Sequence, residues 1–456
     1  MMALAEAARV LEARRSGDDA RFSGVSTDSR ALRNGDLFVA LRGERFDGHA
    51  FLEAARAAGA AAAMIDAGFA GRAPLPVLVV RDTKRSLGDL ARHWRARFSP
   101  ALVAITGSNG KTTTKEMLAA ILRCHAGEDR VLATAGNLNN DIGLPLTLLR
   151  LRAAHRYCAI ELGMNHKGEI GYLAGIAQPT IALVNNAQRE HLEFMGSVEE
   201  VAEENSHVYK ALPADGVAVV NADDALAAVF RAAAEPHRVV DFGLGAGAGV
   251  SGGYALKQLA SEIRVRTPAG EAAATLAIPG LHNVRNALAA AACAHAAGVA
   301  PRTIGEGLSA FRPYAGRLQV KRSPLGATVI DDSYNANPDS VRAAIDILAA
   351  CPAPTVLVLG DMGEVGDRGP EFHREVGAYA RSRDVSAMLA IGEASKAAVD
   401  AFGAGGVHAA SLEELLSALR QRATPGATIL VKGSRFMRME RVVAALSGAP
   451  EREGAH

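Results

Sequence analysis

The stretch ALVAITGSNGKTTTKEMLAAIL, residues 101–122, constrains this chain more than any other. An apolar run ends at Thr106, and a short loop follows. Gly110-Lys111-Thr112 then opens a segment whose Met117, Leu118, Ile121 and Leu122 share one helical face. The pattern predicts strand, tight loop, helix. Backbone N–H groups at such a helix start, aided by the helix dipole, form an anion cradle. Glycines admit phosphate oxygens close to the backbone, a lysine meets the β- and γ-phosphates, and a hydroxyl is placed to ligate Mg²⁺. Gly107, Ser108, Asn109, Gly110, Lys111, Thr112 and Thr113 are the expected phosphate contacts, with Lys111 also catalytic and Thr112 also a metal ligand. The match is shorter than G-x-x-x-x-G-K-[ST], because Ile105 stands where the first glycine would be. A tight turn with no ligand is the structural alternative.

A chain of 456 residues exceeds what one hydrophobic core supports, so two or three domains are expected. Hydrophobic residues at 49% and charged residues at 22% describe a folded globular protein. A net charge of +1 without a one-sign field argues against nucleic acid or an anionic membrane as partner. Cys124, Cys158, Cys293 and Cys351 are far apart and form no C-x-x-C pair, which suits reduced thiols in a cytoplasmic protein. No apolar run is long enough for a membrane span, and the N-terminus lacks a secretory core.

The expected class is α/β with three domains. Residues 1–99 read as a smaller mixed α/β domain. In residues 100–315, LVAIT, YCAIEL, TIALVNN and GVAVVNA alternate with helical segments, which predicts a parallel sheet covered on both faces. SEIRVRTPAGEAAATLAI predicts two antiparallel strands added to that domain. In residues 316–456, ATVIDD, TVLVLGDM, AMLAIGE and TILVKGS predict a third, doubly wound domain. Ligands of open α/β sheets gather beyond the C-terminal strand ends. Glu161 ends YCAIEL and His191 follows LVNNAQRE, so both are placed to complete a Mg²⁺ or water shell beside a γ-phosphate. Taken singly, His191 reads equally as a surface or capping residue.

TGSNGKTTTKE, GNLNNDIGLPLTLL, AIELGMNHKGEI, HLEFMGSVEEVA, IPGLHNVRNALAA, DDSYNANPDS and LGDMGEVG occur in this order. Together they resemble the Mur ligases of peptidoglycan synthesis, over about residues 24–440. Within that family GNLNN, YNANP and LGDMGE resemble the members that join D-alanyl-D-alanine to UDP-N-acetylmuramoyl-tripeptide. The resemblance implies a uridine-nucleotide domain, a central ATPase of the P-loop kind and a Rossmann-like C-terminal domain that closes over the site. It implies ATP and Mg²⁺, an acyl-phosphate intermediate, and a cytoplasmic monomer. Thr112, Glu161 and His191 would belong to the metal shell, with His191 and Arg317 catalytic. Asn283 and Asn286 would lie on the adenine side, Arg317 would reach ATP phosphates and Asp332 would stand near the ribose. Asn283 and Asn286 otherwise read as helix caps, and Arg317 as a surface ion pair. Tyr334, Asn335 and Asn337 would line the entry of the dipeptide, with Ser340 or Asp339 capping the next helix. Ser29 and Arg30 would meet the uridine diphosphate, and Asn137, Asn139 and Asn140 the muramoyl end.

One position departs from the family. Many Mur ligases carry a carbamylated lysine after the histidine motif, and here that place falls on Asn205. The expectation is that Asn205 offers a neutral oxygen to a second metal while Glu204 or Glu203 supplies charge. Among alternatives, ligases adding diaminopimelate or lysine carry a D-N-P-R motif that this chain lacks, and folylpolyglutamate synthase lacks YNANP and LGDMGE. A non-catalytic nucleotide-dependent regulatory protein is the alternative of another class.

Overall fold

The computed structural model describes residues 1–43 and 46–448. Its centre is a six-stranded parallel sheet in the order Arg238–Phe242, Val217–Asn221, Ile181–Val184, Ala101–Thr106, Tyr157–Glu161, Val131–Ala133. Ala101–Thr106 lies between Tyr157–Glu161 and Ile181–Val184, so the chain reverses its order around that strand. Register places Glu161 beside Ile105 and Val184 beside Thr106. The phosphate loop, Glu161 and the segment after Val184 therefore leave the sheet at one edge, where such folds bind ligands.

Side-chain alternation along Ala101–Thr106 feeds two cores. Val103 and Ile105 pack with Met117, Leu118, Ile121 and Leu122 of the helix Lys111–Ala126 and with the helix Leu281–Ala296. Leu102 and Ala104 pack with Leu87, Leu90 and Trp94 on the opposite face. Those three residues belong to the helix Thr83–Arg95, which the sequence pattern assigns to the first domain. It is fixed to the central domain, since Trp94 donates to the Leu151 carbonyl at 3.1 Å and Arg95 to the carbonyls of Ala177 and Gln178 at 3.0 and 2.9 Å. Gly307, on the helix Pro301–Ala310, packs directly on the Ile121 backbone, so the helix behind the phosphate loop has a rigid support.

The predicted hairpin pairs Ser261–Thr267 with Gly270–Leu276, and Ser251–Leu256 adds a third antiparallel strand. The first domain is a five-stranded sheet, parallel except for the edge strand Arg14–Ser16, with Gly24–Ser26 at the other edge. The third domain has the order Gln319–Arg322, Thr328–Asp332, Thr428–Lys432, Thr355–Gly360, Ala387–Ile391, Gly406–Ala409, with only the first strand antiparallel. Among the described residues no helix is long and apolar enough to cross a membrane.

Candidate active site

The strand Ala101–Thr106 delivers the chain into a loop that turns through Gly110 at φ 81° and starts the helix Lys111–Ala126. No side chain caps that helix, so its first N–H groups stay open to an anion. A Cβ on Gly110 would collide with Asn286 Oδ1 and approach Asn185 Nδ2 to 2.8 Å. Lys111 Nζ donates to the carbonyls of Gly107 and Ser108 at 2.6 and 3.1 Å and pairs with Glu190 at 3.3 Å.

A ladder of amides braces the loop. Asn186 Oδ1 accepts from Asn109 N at 2.8 Å, and Asn185 Nδ2 and Asn186 Nδ2 donate to Asn109 O at 2.7 and 2.9 Å. Asn185 Nδ2 also donates to Asn286 Oδ1, and Asn286 Nδ2 to Asn283 Oδ1, at 3.0 and 3.1 Å. Asn283 donates to the Pro279 carbonyl at 2.7 Å. Thus Asn283 and Asn286 are buried rungs and not helix caps. Asn185 and Asn186 escaped the sequence reading, although two asparagines directly after a buried strand mark such a position.

Glu161 is suited to a divalent cation. Its Oε1 accepts from Asn139 Nδ2 at 2.7 Å and lies 3.3 Å from Thr112 Oγ1, while its buried Oε2 has no partner among the described residues. A buried carboxylate oxygen without a donor, beside a hydroxyl, is a hard-oxygen pair suited to Mg²⁺. His191 lines the same cavity, but its ring pairs with Glu190 at 3.5 Å and Glu364 at 2.5 Å. Burial opposes its charge, yet these two carboxylates outweigh burial and raise its pKa to about 9. Among the described residues no three His, Cys, Asp or Glu side chains converge as a metal cluster.

Asn205 corrects the expectation of a second-metal ligand. Its Oδ1 accepts from Thr106 Oγ1 at 2.6 Å and Gly107 N at 2.8 Å, and its Nδ2 donates to the Val201 carbonyl at 2.8 Å. The Glu204 carboxylate accepts from the N–H groups of Gly168 and Ile170, both at 2.9 Å. Asn205 holds the loop, its Oδ1 already accepting two hydrogen bonds, and Glu204 holds a helix start.

The third domain reaches the loop from above. Arg317 Nη2 lies 3.5 Å from Thr112 Oγ1, and its Cζ stands 4.1 Å from the Tyr334 ring centre. Asn337 Nδ2 donates to Asn109 Oδ1 at 2.9 Å. Asn337 Oδ1 accepts from Ser340 N at 2.9 Å and Ser340 Oγ accepts from Asn337 N at 3.0 Å, so these two form a capping box at the start of the helix Pro338–Ala349. Ser340 has the expected capping part, while Asp339 pairs with Arg189. The box tempers the expected contact of Asn337 with the dipeptide, since both ends of its amide are already engaged. Asn335 Oδ1 accepts from Ala336 N at 2.9 Å. Asp332 pairs with Lys432 at 2.6 Å, and Lys432 also donates to the Asn335 carbonyl at 2.9 Å. Burial pushes the Asp332 carboxyl up and the Lys432 ammonium down, and their pairing opposes both shifts without cancelling them. Lys432, Glu190 and Glu364 lie inside TILVKGS, LVNNAQRE and LGDMGEVG but escaped the sequence reading as site residues.

Two cavities meet here. The smaller, about 530 Å³, is lined by Asn283, Asn286, Asn221, His282 and Asp332. The larger, about 900 Å³, is lined by Lys111, Thr112, Asn137, Asn139, Asn140, Glu161, His191, Tyr334 and Asn335. Asn109, Gly110, Arg317 and Lys432 line both. Asn140 also serves the backbone, accepting from Gly143 N at 2.8 Å. Ser29 and Arg30 line neither cavity, and Arg30 pairs with Asp28 at 2.8 Å.

A phosphate loop between two cavities, with a third domain resting on it, defines an ATP-dependent ligase, and the chain belongs to the Mur ligase family. The Mur ligase middle domain matches residues 105–294, the Mur ligase glutamate ligase domain 316–435, and the Mur ligase family catalytic domain 21–95. The chain is 39% identical to the UDP-N-acetylmuramoyl-tripeptide–D-alanyl-D-alanine ligase of Escherichia coli K12, over 97% of this chain and 98% of that one. It superposes on MurF from Acinetobacter baumannii with a TM-score of 0.90 at 35% identity, covering 97% and 98% of the two chains. MurF from Thermotoga maritima, solved with ADP, matches with a TM-score of 0.81 at 26% identity over 93% and 97%.

Proposed function

We propose that this chain joins D-alanyl-D-alanine to UDP-N-acetylmuramoyl-tripeptide at the expense of ATP, giving the pentapeptide precursor of peptidoglycan. The observation that carries this reading is the meeting of a nucleotide-sized and a larger cavity at Gly110 and Arg317, in a chain similar over nearly its whole length to ligases of that name. The three domains take the bounds 1–99, 100–315 and 316–456.

ATP enters the smaller cavity with its adenine towards Asn283 and Asn286, its ribose towards Asp332 and its phosphates on the loop from Gly107 to Thr113. Lys111 leaves Glu190 and the loop carbonyls to meet the β- and γ-phosphates. The tripeptide carboxylate arrives from the larger cavity and attacks the γ-phosphorus, so that ADP leaves and an acyl phosphate forms. Two anions must approach each other for this, and Lys111 and Arg317 neutralise the charge between them. Thr112 and Glu161 would hold Mg²⁺, which supplies further positive charge there, and His191 adjoins that shell. The dipeptide amine, deprotonated, attacks the acyl carbon beside Tyr334, Asn335 and Asn337, and inorganic phosphate leaves. Asn137, Asn139 and Asn140 face the muramoyl end. Ser29 and the exposed Arg30 are open to the uridine diphosphate, which displaces Asp28 from the guanidinium. The protein acts as a cytoplasmic monomer, where ATP and the nucleotide-linked precursor are found.

The test is phosphate release from ATP and Mg²⁺ with the UDP-tripeptide present, and the dipeptide added or omitted. Release that needs the dipeptide, with a pentapeptide product by mass, is the expected result. Release with a free amino acid in its place would assign a different acceptor.

A further inference from the structure

The outer wall of the larger cavity follows the buried strand Thr428–Lys432. Ser434 fixes this wall, donating to the Ala336 carbonyl at 3.1 Å and accepting from Gly363 N at 2.7 Å. The next two residues, Arg435 and Phe436, face the cavity from a short 3-10 turn. Arg435 Cζ lies 5.8 Å from the Tyr334 ring centre, the ring that Arg317 covers from the phosphate end. Its Nη1 pairs with Glu440 at 3.1 Å, and its other N–H groups have no partner among the described residues. Phe436 is 64% exposed although it lines the cavity.

The acceptor dipeptide has its reacting amine at one end and a carboxylate at the other, about 7 Å away when extended. The amine belongs at the phosphate end, so the carboxylate needs a cation set back from it. Lys111 and Arg317 stand at the phosphate loop itself, and Lys432 is buried and filled by Asp332 and the Asn335 carbonyl. Arg189 is filled by Asp339 and Glu375, and Lys167 pairs with Glu200 at 2.9 Å. That leaves Arg435, whose planar fork matches a carboxylate. We infer that Arg435 binds the C-terminal carboxylate of the acceptor dipeptide, with Phe436 against its methyl groups. This assignment rests on the ligase reading above.

The test compares D-alanyl-D-alanine with D-alanyl-D-alaninamide, which lacks the carboxylate, at saturating ATP and UDP-tripeptide. Arg435→Gln is expected to raise the dipeptide KM at least about tenfold, to move the amide KM less than about twofold and to leave the ATP KM unchanged. Glu440→Gln, which frees the same guanidinium, is expected to keep or lower the dipeptide KM, and thermal melting of both variants reports on folding. Equal losses on dipeptide and amide, no loss on either, or a parallel rise in the ATP KM would overturn the assignment. If the unaltered enzyme forms no product from the dipeptide, the ligase reading itself fails, and the role of Arg435 falls with it.

Discussion

Asn205 shows how much one amide can hold. It satisfies the Thr106 hydroxyl and the Gly107 N–H where the strand becomes the phosphate loop. Asn205→Ala leaves both groups buried without an acceptor. The expected loss of stability is about 2–4 kcal/mol by denaturant unfolding, together with a higher ATP KM. A stability change within experimental error would mean that water replaces the amide. Because asparagine cannot be carbamylated, added bicarbonate is expected to leave kcat unchanged, and stimulation would place a carbamylated lysine elsewhere. Gly110 is constrained in another way. Its positive φ and its contact with Asn286 leave no room for a Cβ. Gly110→Ala is expected to abolish detectable ATP binding in calorimetry while the fold persists by circular dichroism.

At the scale of elements, the sheets were legible where strands are buried on both faces. ALVAIT, YCAIE, IALV and VAVVN are continuous apolar runs because helices cover both sides. Among the strands that escaped reading, several are of other kinds. Val131–Ala133 has three residues, Gln319–Arg322 is an exposed polar edge, and Ser251–Leu256 carries two glycines. The site divides in the same way. The phosphate loop is a local motif, so its residues could be read together. Lys432, Glu190 and Glu364 gain their meaning only when loops far apart in the chain converge, which no spacing rule conveys. The support behind the loop is equally invisible in sequence. Gly307→Ala drives a methyl into the Ile121 backbone and is expected to cost about 1–3 kcal/mol by overpacking. Thermal unfolding checks this, and an unchanged midpoint would show that the helix Pro301–Ala310 can retreat freely.

For the whole molecule, the question is what holds the third domain on the phosphate loop. Arg189, just after the central sheet, grips Asp339 and Glu375 of the third domain with contacts of 2.6 and 2.7 Å, and lies over the Phe372 ring. Within the third domain Arg342 pairs with Glu375 at 3.1 Å and so positions that carboxylate for Arg189. All these side chains are partly exposed, so solvent weakens the clamp. Arg189→Ala is expected to weaken domain docking by about 1–3 kcal/mol. The hydrogen bonds from Arg189 hold the Glu375 carboxyl below its ordinary value of 4.5. A depressed carboxylate pKa stabilises the folded form above the ordinary value, and that gain fades as pH falls through the depressed one. The closed arrangement is therefore expected to hold at neutral pH and to loosen below about pH 4.5, earlier at high salt, which screens the pairs. X-ray scattering checks both expectations, since a released domain enlarges the radius of gyration. Arg189→Ala should show at neutral pH the expansion that the unaltered chain shows only in acid. Superimposable curves for variant and parent would mean that the other contacts, such as Asn337 with Asn109, close the molecule without the clamp.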